Sequence, residues 1–258
     1  MRLFLQVQYA GTAYSGWQRQ PAAPTVQAAL EQALATLLRR PVAITAAGRT
    51  DAGVHATGQM VHLDLDAEAG EALGQQQLWQ LNSMLPRDVA VPQVWQAATP
   101  TLHARYDATH RAYTYTLART KPVFDGHTSW HMYSPLDLAA MQAASQHLLQ
   151  EAEFQCFEKL GSNNATSRCH ITHAQWAAEG PRWHFHIRAD RFLRRMMRAI
   201  VDTLVEVGAG KHAPGFIPQL IASQDRSLAA NAAPAKGLCL SEVGYPEGSL
   251  LPHCHLQR

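Results

Sequence analysis

The stretch VAITAAGRTDAGVHATGQMVHLDL, residues 42–65, holds the reading on which the fold turns. Val42 to Ala47 is a short apolar run that ends at Gly48, and Met60 to Leu65 alternates as a half-buried strand does. Arg49 to Gly58 is therefore expected to be a loop between two strands. Small residues crowd this loop around one carboxylate, Asp51, with Arg49 two positions earlier. Small neighbours let a substrate backbone approach, and loops on rigid strands commonly carry chemistry. An aspartate among glycines is also a good turn former, so the rest of the chain decides between the two roles.

Toward the N-terminus, Leu3, Leu5, Val7 and Tyr9 recur at period two, which predicts a strand over Arg2 to Tyr9, broken at Gly11. Thr25 is placed to cap a helix whose apolar face carries Val26, Ala29, Leu30, Ala33, Leu34, Leu37 and Leu38, ending near Arg39. Toward the C-terminus the pattern gives a helix around Glu71 to Met84, then strands at Ala90 to Val94 and Arg111 to Arg119. A helix over Pro135 to Gln150 and a hairpin of Ile171 to Ala178 with Arg182 to Ala189 follow, turning at Glu179-Gly180-Pro181. Next comes a helix from about Phe192 to Val207, stopped by Gly208 and Gly210. Gly237 to Val243 reads as a last strand. This mixture argues α+β, with mixed, largely antiparallel sheets and flanking helices, rather than a regular βαβ array. The expected division is two α/β domains, residues 1–105 and 106–258, with a junction near Leu102 to Asp107.

At 258 residues, 47% hydrophobic and 16% charged, the chain buries a substantial core and is not disordered. A net charge of only +2 gives no global signal for nucleic acid, so local clusters must carry that argument. Cys156, Cys169, Cys239 and Cys254 form no CxxC pair, which reads as reduced thiols in a cytoplasmic protein. No run of 18 apolar residues marks a membrane span. His253-Cys254-His255, in an expected tail, and Cys169-His170 with His173 are spaced poorly for zinc, so no metal site is expected. His184 and His186 alternate on a strand and read as a half-exposed face. No phosphate-binding or dinucleotide fingerprint is present, and no cofactor is implied.

Two further groups are ambiguous by themselves. Tyr113 and Tyr115 are two apart on a strand and share a face, where core packing is the ordinary role. Arg191, Arg194, Arg195 and Arg198 are spaced to share one face of the late helix, either as a solvated stripe or as phosphate ligands opposite Phe192, Met196, Met197 and Ile200.

The segment Gly48 to Ala56 resembles the nucleophile motif of the TruA family of tRNA pseudouridine synthases, and the resemblance runs through nearly the whole chain. Tyr9-Ala10-Gly11-Thr12-Ala13-Tyr14-Ser15-Gly16-Trp17-Gln18-Arg19-Gln20 is similar to the family's first signature, followed by Thr25-Val26-Gln27 and Leu30-Glu31. Leu81 to Pro86, Leu102-His103-Ala104-Arg105-Tyr106, Arg111 to Tyr115, Phe192 to Gly208 and Pro234 to Leu238 occur in the family's order. Two positions depart from it. Ala10 stands where an aspartate is usual and Asp202 where glycine is frequent, neither at a catalytic position.

The resemblance implies a pseudouridine synthase-like fold with the active site in the cleft between the domains. It implies an isomerase acting on uridines 38, 39 and 40 of the tRNA anticodon stem and loop, without a cofactor, as a homodimer. Asp51 is then the nucleophile, Tyr113 packs on the target base, Arg198 is the cation that keeps the carboxylate ionised, and Leu238 lines the pocket beneath the base. Tyr115 remains a core residue. Arg49 and Arg105 occupy the space left by the extruded base and hold the displaced strand, while Arg191, Arg194 and Arg195 meet phosphates. The same motif permits a synthase for other uridines, or a non-catalytic RNA-binding protein on the same scaffold. The presence of Asp51, Tyr113 and Arg198 together argues against the second.

Overall fold

The structure, a computed structural model, describes residues 1–162 and 164–256. The chain begins with β1 (Arg2–Tyr9), α1 (Val26–Leu38), β2 (Thr45–Ala46), β3 (His55–Asp64), α2 (Ala67–Ala72), α3 (Gln75–Met84) and β4 (Val89–Ala97). Its middle holds β5 (His110–Ala118), β6 (Trp130–His131), α4 (Leu138–Gln146), β7 (Glu151–Glu153), β8 (Arg168–Glu179) and β9 (Arg182–Ala189). The helices α5 (Met196–Gly208) and α6 (Phe216–Ser223) precede β10 (Leu238–Gly244) and β11 (Leu250–His255). The fold is α+β, and every registered strand pair is antiparallel except β5 with β6. No helix among the described residues is long and apolar enough to cross a membrane.

Two compact units divide the chain, one of Met1–Thr109 with Leu240–Arg258 and one of His110–Cys239. The division differs from the expected one at residues 1–105 and 106–258. The first crossing falls after Thr109, and the C-terminal segment returns to the first unit because β11 pairs with β4. That pairing also corrects the expected tail, since His253, Cys254 and His255 lie in a strand.

In the first unit the strands run in the order β11-β4-β1-β3-β10, with β2 beside β3. Leu3, Leu5, Val7 and Tyr9 are buried on one face of β1. Phe4 on the other face joins a cluster with Ala47, Met60, Leu102 and Ala104. Thr25 caps α1 by accepting the Ala28 N–H, and Arg39 ends the helix in the left-handed region at φ 54°. β3 begins at His55, not after Gly58, since it pairs with β1 as far as Ala56. The helix expected over Glu71 to Met84 is two helices, interrupted at Leu73 and Gly74, with Asp66 capping the first.

In the second unit β5, β9, β8 and β7 are neighbours in that order, and the predicted hairpin joins β8 to β9. Asp137 caps α4 through the Ala140 N–H, which sets its start after Pro135. The late helix, α5, starts at Met196 rather than Phe192. Arg195 stands at its N-terminus with φ 61° and ψ 2°, so residues 192–195 precede the helix. Arg191, Arg194 and Arg195 therefore do not share a helical face with Arg198. Once begun, α5 is buried almost all round, and Gly208 lets it approach α4, where a Cβ would lie 2.6 Å from Met141 Sδ.

Candidate active site

Asp51 lies in the loop of residues 47–54 that joins β2 to β3. The Val54 N–H donates to Asp51 O at 3.2 Å, closing a tight turn, and Gly53 takes a left-handed φ of 77°. Residues 9–17 hold this turn from the other side. The Tyr9 and Thr50 hydroxyls are 2.8 Å apart in a buried contact, and the Trp17 N–H donates to Thr50 O at 3.1 Å. The Gly11 N–H donates to Nδ1 of buried His55 at 3.1 Å, which leaves the neutral ring's proton on Nε2. Gln59, fully buried, donates to Gly48 O at 3.0 Å. The packing leaves no room for side chains at two glycines: a Cβ on Gly16 would lie 2.7 Å from Thr50 O, and one on Gly11 would lie 2.0 Å from Val54 O.

The backbone around Asp51 is thus fixed, while its carboxylate is left open. Half-buried, it makes no hydrogen bond or ion pair among the described residues of its unit. Arg49 is exposed. Arg105 is exposed too, with its guanidinium 5.8 Å from the centroid of the Tyr106 ring.

The second unit carries the other predicted residues. Tyr113 is half-buried on β5, packed edge-on against Phe192 with ring centroids 5.1 Å apart. Tyr115, on the same face, is fully buried and donates its hydroxyl to Pro234 O at 2.8 Å. Burial raises its pKa far above the ordinary tyrosine range. Gly237 approaches this ring so closely that a Cβ would lie 2.6 Å from Cζ, and the next residue, Leu238, is buried. Arg198, on the first turn of α5, donates from Nε to Ala233 O at 2.6 Å, while its backbone O accepts the Ala233 N–H. Its two terminal nitrogens make no hydrogen bond among the described residues of this unit. Arg194 and Arg195 are exposed and Arg191 is half-buried.

Residues 5–107 and 144–246 match the tRNA pseudouridine synthase family. The chain belongs to that family. It is 42% identical over 246 residues to tRNA pseudouridine synthase A of Parabacteroides distasonis, covering 95% of this chain and 96% of the relative. It is 43% identical over 249 residues to the protein of that name from Bacteroides thetaiotaomicron, covering 95% and 91%. The protein of that name from Aeromonas salmonicida is 41% identical over 261 residues, covering 99% and 94%. As a pseudouridine synthase, the chain is an isomerase.

Within the enzyme the structure brings Tyr113, Arg198 and Leu238 into one unit and places Asp51, Arg49 and Arg105 in the other. Sequence reasoning missed the residues that brace the Asp51 loop, Tyr9, Gly16, Thr50, His55 and Gln59. For Tyr9 and Gly16 the signal was the first signature at residues 9–20, to which no role was attached; Thr50 and His55 lie within the motif at residues 48–56, and Gln59 lies outside both. Asp202, the departure from the family pattern, sits one turn after Arg198 and is half-buried. Burial, then Glu206, holds its carboxyl above the usual range, with Arg198 among the charges that oppose this. A cavity of about 310 Å³ in the first unit, lined by Gln6, Met60, Trp95, Glu242 and Tyr245 among others, contains none of the predicted site residues. Among the described residues no group of three or more His, Cys, Asp or Glu is placed to hold a metal. His253 and Cys254 instead both reach Leu73 O.

Proposed function

We propose that the enzyme converts uridines 38, 39 and 40 of the tRNA anticodon stem and loop to pseudouridine, with Asp51 as nucleophile. The observation that carries this reading is a carboxylate with no partner in its own unit, on a turn braced from both flanks by Tyr9, Trp17, His55 and Gln59. A group already fixed in place loses little further freedom on reaching bonding distance. Asp51 forms a covalent bond to the uridine, and the C1′–N1 bond breaks. The base turns and the C1′–C5 bond forms, the bond to Asp51 breaks so that the carboxylate is regenerated, C5 gives up its proton and N1 ends with one. Substrate and product have the same atoms, so the balance requires no oxidant or cofactor.

The other roles belong to the same reading. Tyr113 stacks on the target base, offsetting part of an extrusion cost of a few kcal/mol with stacking of about 1 to 3 kcal/mol. Leu238 lines the pocket beneath the base. Arg198, with two terminal nitrogens unclaimed in its unit, supplies the cation that favours an ionised carboxylate. Arg49 and Arg105 occupy the space left by the extruded base and hold the backbone of the displaced strand, and Arg191, Arg194 and Arg195 contact phosphates. The enzyme works in the cytoplasm as a homodimer, with one tRNA touching both subunits.

Site-by-site pseudouridine mapping on tRNA incubated with the purified protein tests the reading. Modification at positions 38 to 40 is expected. Modification confined to other uridines makes it a synthase of different specificity, and tight binding with no modification of any tRNA makes it a binding protein.

A further inference from the structure

The connection at residues 102–107 is tied down more heavily than a link between strands requires. Arg2 donates from Nη1 to Leu102 O at 2.9 Å, and the Tyr245 hydroxyl donates to Ala104 O at 2.7 Å. The Ala104 N–H donates to Nδ1 of buried His62 at 3.0 Å. Burial and nearby Arg2 push the His62 pKa down to about 4, so this nitrogen stays free to accept. The Asp107 carboxylate accepts the His103 N–H at 2.6 Å, and Nδ1 of His103 accepts the N–H of Arg105 at 3.0 Å.

Two exposed side chains project from this braced turn, Arg105 and Tyr106. The Tyr106 residue is 76% exposed, yet its ring is supported. It lies 4.4 Å from the His103 ring at an interplanar angle of 32°, and His103 in turn packs edge-on against His62 at 4.9 Å. A single exposed aromatic is ordinary. An exposed ring held against a second ring on a fixed backbone, with an arginine beside it, is the combination that binds single-stranded RNA: the ring takes a base and the cation takes phosphate.

We propose that Tyr106 is a stacking platform for an unpaired nucleobase of the RNA substrate, with Arg105 on the adjoining phosphate. The inference rests on the tRNA reading above and adds to it a base-contacting residue distinct from Tyr113. Because every base has a π-face, the platform adds affinity without selecting base identity.

The test compares Tyr106→Ala, Tyr106→Phe and Arg105→Ala with the parent in tRNA-binding titrations between about 50 and 200 mM salt. Thermal melts confirm folding, which the exposed ring does not govern. Tyr106→Ala is expected to weaken binding about tenfold, equivalent to about 1.4 kcal/mol, at every salt concentration. Stacking releases no counterions, so the slope of log Kd against log salt stays that of the parent, and Tyr106→Phe binds as the parent does. Arg105→Ala instead makes the slope shallower. Unchanged affinity of Tyr106→Ala, or failure of Tyr106→Phe to restore it, overturns the platform. A parent protein that binds no tRNA overturns the underlying reading, and that result is seen before any variant is compared.

Discussion

The hydroxyl of Tyr9, at the end of β1, lies 2.8 Å from the hydroxyl of Thr50, the residue before Asp51, and the contact is buried. It is one of several ties that make the segments at residues 9–17 and 48–55 a single object. Gly11 passes under Val54, Gly16 passes under Thr50, and the Gly11 N–H holds His55. The first signature in the sequence is thus the clamp on the second.

Removing the Tyr9 hydroxyl isolates that clamp. Tyr9→Phe leaves the Thr50 hydroxyl buried without this partner, at a cost of about 1 kcal/mol in stability. The single-turnover rate of pseudouridine formation is expected to fall while tRNA affinity holds, since no phosphate contact is lost. An unchanged rate in the folded variant shows that the contact does not position Asp51.

Gly16 supplies a sharper backbone test. Its φ of 99° and its 2.7 Å approach to Thr50 O both oppose a side chain. Gly16→Ala is expected to cost about 1 to 3 kcal/mol or more in urea denaturation. Gly48, in the same motif, has open space at the Cβ position. Gly48→Ala is expected to stay within about 0.5 kcal/mol of the parent. Equal effects at the two glycines contradict the packing described.

Much of the fold was legible in the sequence where the signal was local. β1 showed period two, α1 carried its own cap at Thr25, and the β8–β9 hairpin was marked by Gly180 and Pro181. The errors arose where a distant partner decides. β3 is buried on both faces for most of its length, so alternation gave no sign of its start, which pairing with β1 sets. The entry to α5 is fixed by the left-handed Arg195, while the Lys159 N–H donates to Arg194 O, and residues rich in helix formers gave no hint of either. β11 exists through β4 alone. At the site, the motif singled out Asp51 as a candidate, but its bracing by Tyr9 is a tertiary relationship that no spacing reveals, and so is the packing of His103, which supports the Tyr106 ring, against His62.

His62 makes stability depend on pH in a definite direction. Its folded pKa, about 4, lies below the ordinary histidine value of 6.5. Between these values the unfolded chain binds a proton that the native ring refuses. Its contribution is therefore full above pH 6.5, declines as pH falls through 6.5 to 4, and is lost below that. The total is about 3 kcal/mol. His186, also held below its usual range by burial, adds to the parent's dependence, so a difference isolates His62. Between pH 7 and pH 5 His62→Gln is expected to lose less stability than the parent by about 2 kcal/mol, measured by denaturant titration. Parallel pH profiles contradict the assignment.

Arg194 and Arg195 are exposed just before α5, where phosphate contact is proposed. Affinity for tRNA is expected to fall steeply with salt in spite of a net charge of only +2. Replacing either arginine by alanine should reduce the slope of log affinity against log salt by about 1, weakening all tRNAs alike. Salt-independent binding by the parent contradicts an electrostatic interface.

The most direct measurement is pseudouridine formation by Asp51→Ala on tRNA that the parent modifies, with binding and thermal melting followed in parallel. Alanine is preferred to asparagine, which deamidates to aspartate and restores activity. A carboxylate with no partner in its own unit is removed without breaking a contact there, so the variant is expected to fold and to bind tRNA nearly as the parent does. Product formation is predicted to be abolished. A folded Asp51→Ala protein that forms pseudouridine at a rate near the parent's would make Asp51 a turn residue and contradict the account.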